Sequence, residues 1–357
     1  MRRPPRRRQA SGFVLVLVLA MLVVLGLLAG GIAATTARLL EQSQQRAQRM
    51  QDAIDMANTR ATVLYLLSTQ RMTVGGLTVD DTVIAADGTR RRIESPDDLD
   101  SALPVGNEIA LDGRAYRGLG GAAFSLQDDY GLFGVNWNPP WMLQRLLAQA
   151  GPNDQDPQTL INRLLDYQDP DDLYRLNSAE AEGYRRAGLP PPSNRPLTTP
   201  LELLRVMGWR EALSGLSPAE VAATVSVDNV AVINVNTAPE RVLRTLAGVD
   251  ATLARRAIDY RKVQPFLTEN AFFDFLGLPK SVEAPVAVYP AMSGTLRLWP
   301  SHGGQVALVH WMLTPIEDGG RPWREDYELV QSQASAQDDV VLPVRSRLFA
   351  EPVAARP

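Results

Sequence analysis

The run FVLVLVLAMLVVLGLLAGGIAATTA, which begins at Phe13 and ends at Ala37, carries no charged side chain over twenty-five residues. A helix rises about 1.5 Å per residue, so this run spans a hydrocarbon core of about 30 Å. Arg2, Arg3, Arg6, Arg7 and Arg8 precede it, and Arg38 closes it. Clustered positive charge predicts that the N-terminus stays in the cytoplasm and that everything after Arg38 lies across the membrane. A cleaved secretory signal is the competing reading, with Gly31, Ile32, Ala33 and Ala34 as the cleavage region. Against it, the run exceeds the roughly 7–15 apolar residues of such signals.

The apolar pattern also continues past the membrane. Leu40, Ser43, Ala47, Met50, Ile54, Ala57, Ala61 and Leu64 recur at spacings of three and four, with Arg46, Arg49, Asp52, Asp55 and Arg60 on the other faces. That is the signature of one amphipathic helix. No proline interrupts residues 13–93. The spacing therefore predicts a single helix over residues 13–68, about 80 Å long.

Gly12-Phe13 followed by an unbroken apolar segment resembles the processing site of type IV pilins and type II secretion pseudopilins. The resemblance implies that a prepilin peptidase cuts after Gly12 and that Phe13 becomes a methylated N-terminus. Most members carry glutamate at the fifth residue of the mature chain, where this sequence has Leu17. That glutamate is thought to pair with the terminal amine of a neighbouring subunit. An unpaired carboxylate in lipid is costly, so a subunit with nothing above it gains from an apolar residue. Leu17 thus fits a filament-tip subunit, the K class of minor pseudopilins.

Loss of the leader takes five positive charges from a formal net charge of −4, leaving −9. An acidic head disfavours binding to nucleic acid. The chain has no cysteine, which excludes disulfides, thiolate metal sites and cysteine catalysis. With only His302 and His310, a histidine triad or zinc site is disfavoured, and His310 is assigned to a core or edge strand.

Beyond the helix, short apolar runs between Gly75-Gly76, Asp87-Gly88 and Asp112-Gly113 read as strands and turns, with Arg90, Arg91 and Arg92 on a solvated strand edge. A strand then enters Asp128-Asp129-Tyr130-Gly131-Leu132-Phe133-Gly134-Val135-Asn136. This turn resembles that of K-class pseudopilins, with Gly134-Val135 in place of the usual Asn-Leu. Helical periodicity follows over residues 141–150, 158–167 and 201–208, the last read as ending on a glycine cap at Gly208. The stretch from Leu165 to Asp172 and the segment Ala181-Glu182-Gly183-Tyr184 resemble the K class again, with Tyr167 where tryptophan is usual. Strand patterning returns over 282–298, 305–314 and 325–330, and 340–342 offers one more short strand.

Carboxylates are dense in this lobe, and oxygen-rich ligands beside proline and glycine suit calcium. Asp166, Asp169, Asp171 and Glu182 form the candidate set, and the K-class resemblance implies calcium binding. The plain alternative is that these aspartates cap helices and solvate a loop.

Residues 233–261 supply a rival motif. Thr237 reads as an N-cap, with Pro239 in the first turn and Glu240 three residues on. Helix, Gly248-Val249-Asp250 turn and second helix resemble a helix-hairpin-helix. In such hairpins glycine backbone amides meet phosphate, but here Asp250 places a negative charge there. K-class pseudopilins carry the same Asn-x-Asn-Thr-Ala-Pro segment as a packing unit, and that reading is preferred.

The predicted fold is α+β and type IV pilin-like. A leader (1–12) precedes a helix (13–70, with 13–37 transmembrane) packed on an antiparallel sheet built from 71–135 and 282–350. A mainly helical domain (136–281) is inserted, and 351–357 is a tail. The resemblance implies a non-enzymatic minor pseudopilin, anchored once in the inner membrane of a Gram-negative bacterium with a periplasmic head. It would nucleate the pseudopilus tip with I-class and J-class minor pseudopilins, and meet the prepilin peptidase and the inner-membrane assembly platform. A DNA-binding competence protein and a membrane-anchored hydrolase are the other classes considered.

Overall fold

The computed structural model describes residues 12–80, 82–84, 90–92, 103–151, 155–228, 231–280, 285–314, 320–332 and 341–350. The leader up to Ser11, Val340 and the tail 351–357 lie outside the described residues, as do the side chains of Gly12 and Phe13. Two compact units, residues 1–54 and 55–357, divide the chain.

Helix α1 (Gly12–Thr69) accounts for the described part of the first unit and runs into the second. Its apolar segment is long and apolar enough to cross a membrane. Every side chain described there is exposed, from Val14 to Ile32.

In the second unit the buried stripe of α1 differs from the one its spacing predicts. Ala57 and Ala61 are exposed, whereas Asp55, Thr59, Val63, Leu64, Leu66 and Leu67 are buried. The cause is the surface that the helix meets, which presents turn amides as well as apolar side chains. Two small hairpins follow, β1 (Met72–Thr73) with β2 (Gly76–Leu77) and β3 (Thr82–Ile84) with β4 (Arg90–Arg92).

The main sheet begins with β5 (Asp112–Arg117) and β6 (Ala122–Asp128). A 3-10 turn, Asp129–Gly131, leads out of it into β7 (Phe133–Gly134). The lobe comprises α2 (Pro140–Leu147), α3 (Pro157–Gln168), α4 (Ala181–Arg186), α5 (Trp209–Ala212), α6 (Pro218–Ala222), β8 (Val225–Ser226), β9 (Ile233–Asn234), α7 (Glu240–Leu243), α8 (Ala251–Val263), α9 (Glu269–Leu276) and β10 (Val286–Ala287). The chain then returns through β11 (Ser293–Pro300), β12 (Gln305–Leu313) and β13 (Trp323–Ser332). The five long strands pair in the order β13-β12-β11-β6-β5, all antiparallel. The strand patterning over 282–298 resolves into β10 and β11 on either side of Pro290, which has no N–H for a ladder. Leu342 lies beside β5, bridged to Tyr116.

Two cores result. Val63, Leu64, Leu66 and Leu67 of α1 pack on Tyr116, Phe124, Leu126, Leu296, Leu298 and Trp311 of the sheet. The lobe has its own core around Leu160, Ile161, Leu164, Tyr184, Trp209, Leu243 and Phe272. Residues 200–205 form a 3-10 helix rather than an α-helix, and Gly208 (φ 87°) precedes α5 instead of closing a helix. Buried Trp209, whose Nε1 donates to Leu160 O at 2.8 Å, fixes that abrupt turn.

Candidate functional site

Where the sheet hands the chain to the lobe, β6 ends on Asp128, whose side chain is buried. Four donors converge on its carboxylate: Asn234 Nδ2 (2.8 Å), Thr237 Oγ1 (2.8 Å), Ala291 N (2.6 Å) and Tyr130 N (3.2 Å). Burial pushes this carboxyl up to about 7 against the pull of those donors, with Asp129 adding to the rise. Thr237 therefore does not cap α7. The helix starts from Pro239 without a side-chain cap, because a buried carboxylate needs the hydroxyl more than an accessible helix end does. Asn236 bridges Phe266 O (2.9 Å) and Val288 O (3.0 Å), and Arg261 donates to Val235 O and Ala238 O, both at 2.7 Å. The Asn-x-Asn-Thr-Ala-Pro segment is thus tied down residue by residue. Asp250 of the hairpin turn caps α8 through Leu253 N (2.8 Å).

On the far side of the same turn, His310 of β12 is buried between two carboxylates. Its Nε2 meets Asp129 Oδ2 at 2.8 Å and its Nδ1 meets Asp326 Oδ2 at 2.9 Å, while its ring stacks on Tyr327 at 4.9 Å. Burial acts to lower its pKa, but the hydrogen bonds and charges of the two aspartates outweigh it and raise it to about 9. His310 is thus an inner-strand core residue held as an imidazolium.

A third polar contact ties α1 to the sheet. Asp55 Oδ2 accepts Gly121 N (2.7 Å) and Thr59 Oγ1 accepts Leu119 N (2.9 Å), so the β5–β6 turn is bound to the helix by its backbone. Gly120 has φ 56°, and a Cβ there would lie 2.4 Å from the Asp55 carboxylate. Arg60 pairs with Glu325 and with Glu328 (2.9 Å) of β13. Helical spacing put Asp55 and Arg60 on the faces away from the apolar stripe, and nothing local distinguishes a solvated charge there from one facing a turn.

The candidate metal ligands separate into two groups. Asp166 and Asp169 are brought together, and their third companion is Glu180, with ligand oxygens of all three within 4.8 Å of one another. Asp171 instead accepts Leu173 N (2.8 Å), and Glu182 pairs with Arg186 on the exposed face of α4 (2.9 Å). Asp166 is fully buried on α3, and Glu180 is 3% exposed. Neither Glu180 oxygen, nor Asp169 Oδ1, has a hydrogen-bond partner. Burial, then the charges of Asp166, Asp169, Asp172 and Asp171, push Glu180 up to about 7. A buried carboxylate with both oxygens unpartnered is costly, and an all-oxygen group of this kind fits a hard divalent cation. Arg175 supplies the only counter-charge hydrogen-bonded there among the described residues, donating to both Asp166 and Asp169. The local sequence pointed to Asp166 and Asp169; Glu180 lies eleven residues further on, and no spacing rule selects it over Glu182.

Residues 133–218, from β7 to the first residue of α6, match the family model described as type II secretion system (T2SS), protein K. No curated protein matches the chain. Among solved structures the chain is similar to a chain of the GspK-GspI-GspJ complex from the enterotoxigenic Escherichia coli type 2 secretion system. The identity is 15%, the match covers 82% of this chain and 98% of that one, and the TM-score is 0.47. The exposed apolar segment of α1 fits a membrane-anchored protein.

Proposed function

We propose that this chain is a K-class minor pseudopilin of a type II secretion system, standing at the apex of its filament and nucleating assembly, in support of export of folded proteins across the outer membrane. The observation that carries the reading is the protein K match over residues 133–218, which falls on the lobe inserted between β6 and β11. On this reading the partition into a pilin-like part and an inserted domain is functional, but the boundaries read from the sequence (71–135 and 282–350 around 136–281) shift, because β7 at 133–134 and β10 at 286–287 pair and pack within the lobe. The sheet takes its place beside I-class and J-class minor pseudopilins, and the lobe obstructs addition of a further subunit above. Leu17, an apolar residue where a carboxylate would need a neighbour's amine, is in keeping with an apical position.

Anchorage follows the same logic. The prepilin peptidase cuts between Gly12 and Phe13, Phe13 is methylated, residues 13–37 stay in the inner membrane with the assembly platform, and the head is periplasmic. The Gly26-x-x-x-Gly30 pair leaves room for close helix approach, since nothing lies within 4 Å of a Cβ built at either position. The group of Asp166, Asp169 and Glu180 takes calcium, which would neutralise carboxylates that lack donors of their own and so stiffen the loop between α3 and α4.

N-terminal sequencing of the membrane-extracted chain tests the anchor. Methylated Phe13 at the start is expected, and a start beyond Ala33 would identify a secreted soluble protein instead. Filament assembly in cells lacking this chain tests the apex, since unimpaired initiation in its absence would refute nucleation.

A further inference from the structure

Three carboxylates offer six oxygens, and in the group of Asp166, Asp169 and Glu180 three of them are taken by a single residue. Arg175 Nη1 donates to Asp166 Oδ1 and to Asp169 Oδ2 at once, and the Arg175 backbone N–H donates to Asp166 Oδ2 at 2.9 Å. One nitrogen bridging two carboxylates occupies the point between them. The oxygens left over are Asp169 Oδ1 and both of Glu180, which have no partner. Glu180 is a second sign of a ligand beyond the acidic cluster itself, being buried, aimed into the group and unpaired.

We infer that Arg175 is a tethered counter-ion of this group, a guanidinium that stands in for a divalent cation and is displaced when that cation binds. The inference rests on the calcium reading above and adds a competitor built into the chain. Calcium takes six to eight oxygens, and three free ones do not satisfy it. It gains the other Asp166 and Asp169 oxygens only when Nη1 leaves. Co-occupancy is opposed by two positive charges at ligand distance in a buried setting. Arg175 is also free to leave. Residues 170–177 are exposed, with Leu173, Tyr174 and Leu176 at 74%, 60% and 80% and the Arg175 side chain itself at 41%, so the segment that carries it is not packed into the core. The backbone tethers of the segment are the bond to Asp166, Leu173 N to Asp171 (2.8 Å), Ser178 N to Arg175 O (3.1 Å) and Asn162 Nδ2 to Leu176 O (2.9 Å). Those bonds keep the loop near the group after the guanidinium swings out. An acid group with its own arginine remains folded without metal, and binds metal more weakly than its carboxylates alone would.

The test is calorimetric titration of calcium chloride into the full chain in detergent micelles, comparing wild type, Arg175→Gln and Glu180→Gln. Expected results are about tenfold tighter binding for Arg175→Gln and about tenfold weaker binding for Glu180→Gln. In parallel, phenylglyoxal labelling of wild type, read by mass spectrometry, should increase at Arg175 on adding calcium; this arm decides the matter if Arg175→Gln fails to fold. Calcium binding to wild type with equal or weaker affinity in Arg175→Gln, or with labelling of Arg175 unchanged or reduced, overturns the counter-ion and leaves the calcium reading standing. No calcium binding by any of the three overturns both.

Discussion

Raising the pH through about 9 should loosen this head, and the loss should vanish when His310 is replaced. His310 is held between Asp129 and Asp326 and stacked on Tyr327, with its pKa raised to about 9. Histidine in an unfolded chain titrates near 6.5. The folded value is the higher one, so the folded state holds the proton more tightly. Its stabilisation is complete below about pH 6.5 and disappears as pH rises through about 9. At about 1.4 kcal/mol per unit, the full contribution is about 3 kcal/mol, of which about 2 kcal/mol is lost between about pH 7.5 and about pH 9.5. Asp128 and Glu180, both pushed up to about 7, change charge mainly below that window. The assay is urea unfolding of the full chain in detergent at the two pH values, followed by tryptophan fluorescence. Trp311, fully buried and adjacent to His310 on β12, supplies a local reporter. His310→Gln should be destabilised at the lower pH by roughly 3 kcal/mol, since two carboxylates lose their cation. Its stability should then stay nearly flat across the window. Equal pH slopes for wild type and His310→Gln would refute the assignment of a buried imidazolium.

Two further outcomes follow from the geometry of the second unit. Gly120→Ala places a methyl against the Asp55 carboxylate in a left-handed turn, and a thermal melt should report a loss of about 2 kcal/mol; an unchanged melting temperature would mean that the β5–β6 turn is not clasped by α1. Asp128→Ala removes the acceptor of Asn234, Thr237, Tyr130 N and Ala291 N, at a cost of about 3 kcal/mol or more. Limited proteolysis should then cut first between β6 and β7, and wild-type resistance there would remove Asp128 from the junction.

The chain wrote much of its architecture locally. Twenty-five uncharged residues set the membrane-crossing length, and the apolar-rich runs over 305–314 and 325–330 mark β12 and β13 as strands. Helical spacing between 141 and 167 marks α2 and α3. Periodicity of this kind is a property of neighbouring residues, and a sequence displays it directly. Tertiary structure alone decided which polar group meets which. Asp55 faces a turn 66 residues away, Thr237 gives its hydroxyl to a carboxylate 109 residues earlier, and His310 pairs with Asp129 across 181 residues. Glu180 joins Asp166 and Asp169 while Glu182 faces solvent, because α4 begins just after Glu180 and turns one carboxylate inward and the other out. Hydrogen-bond partners of buried charges depend on where the folded chain brings distant backbone, and no spacing in the sequence encodes that.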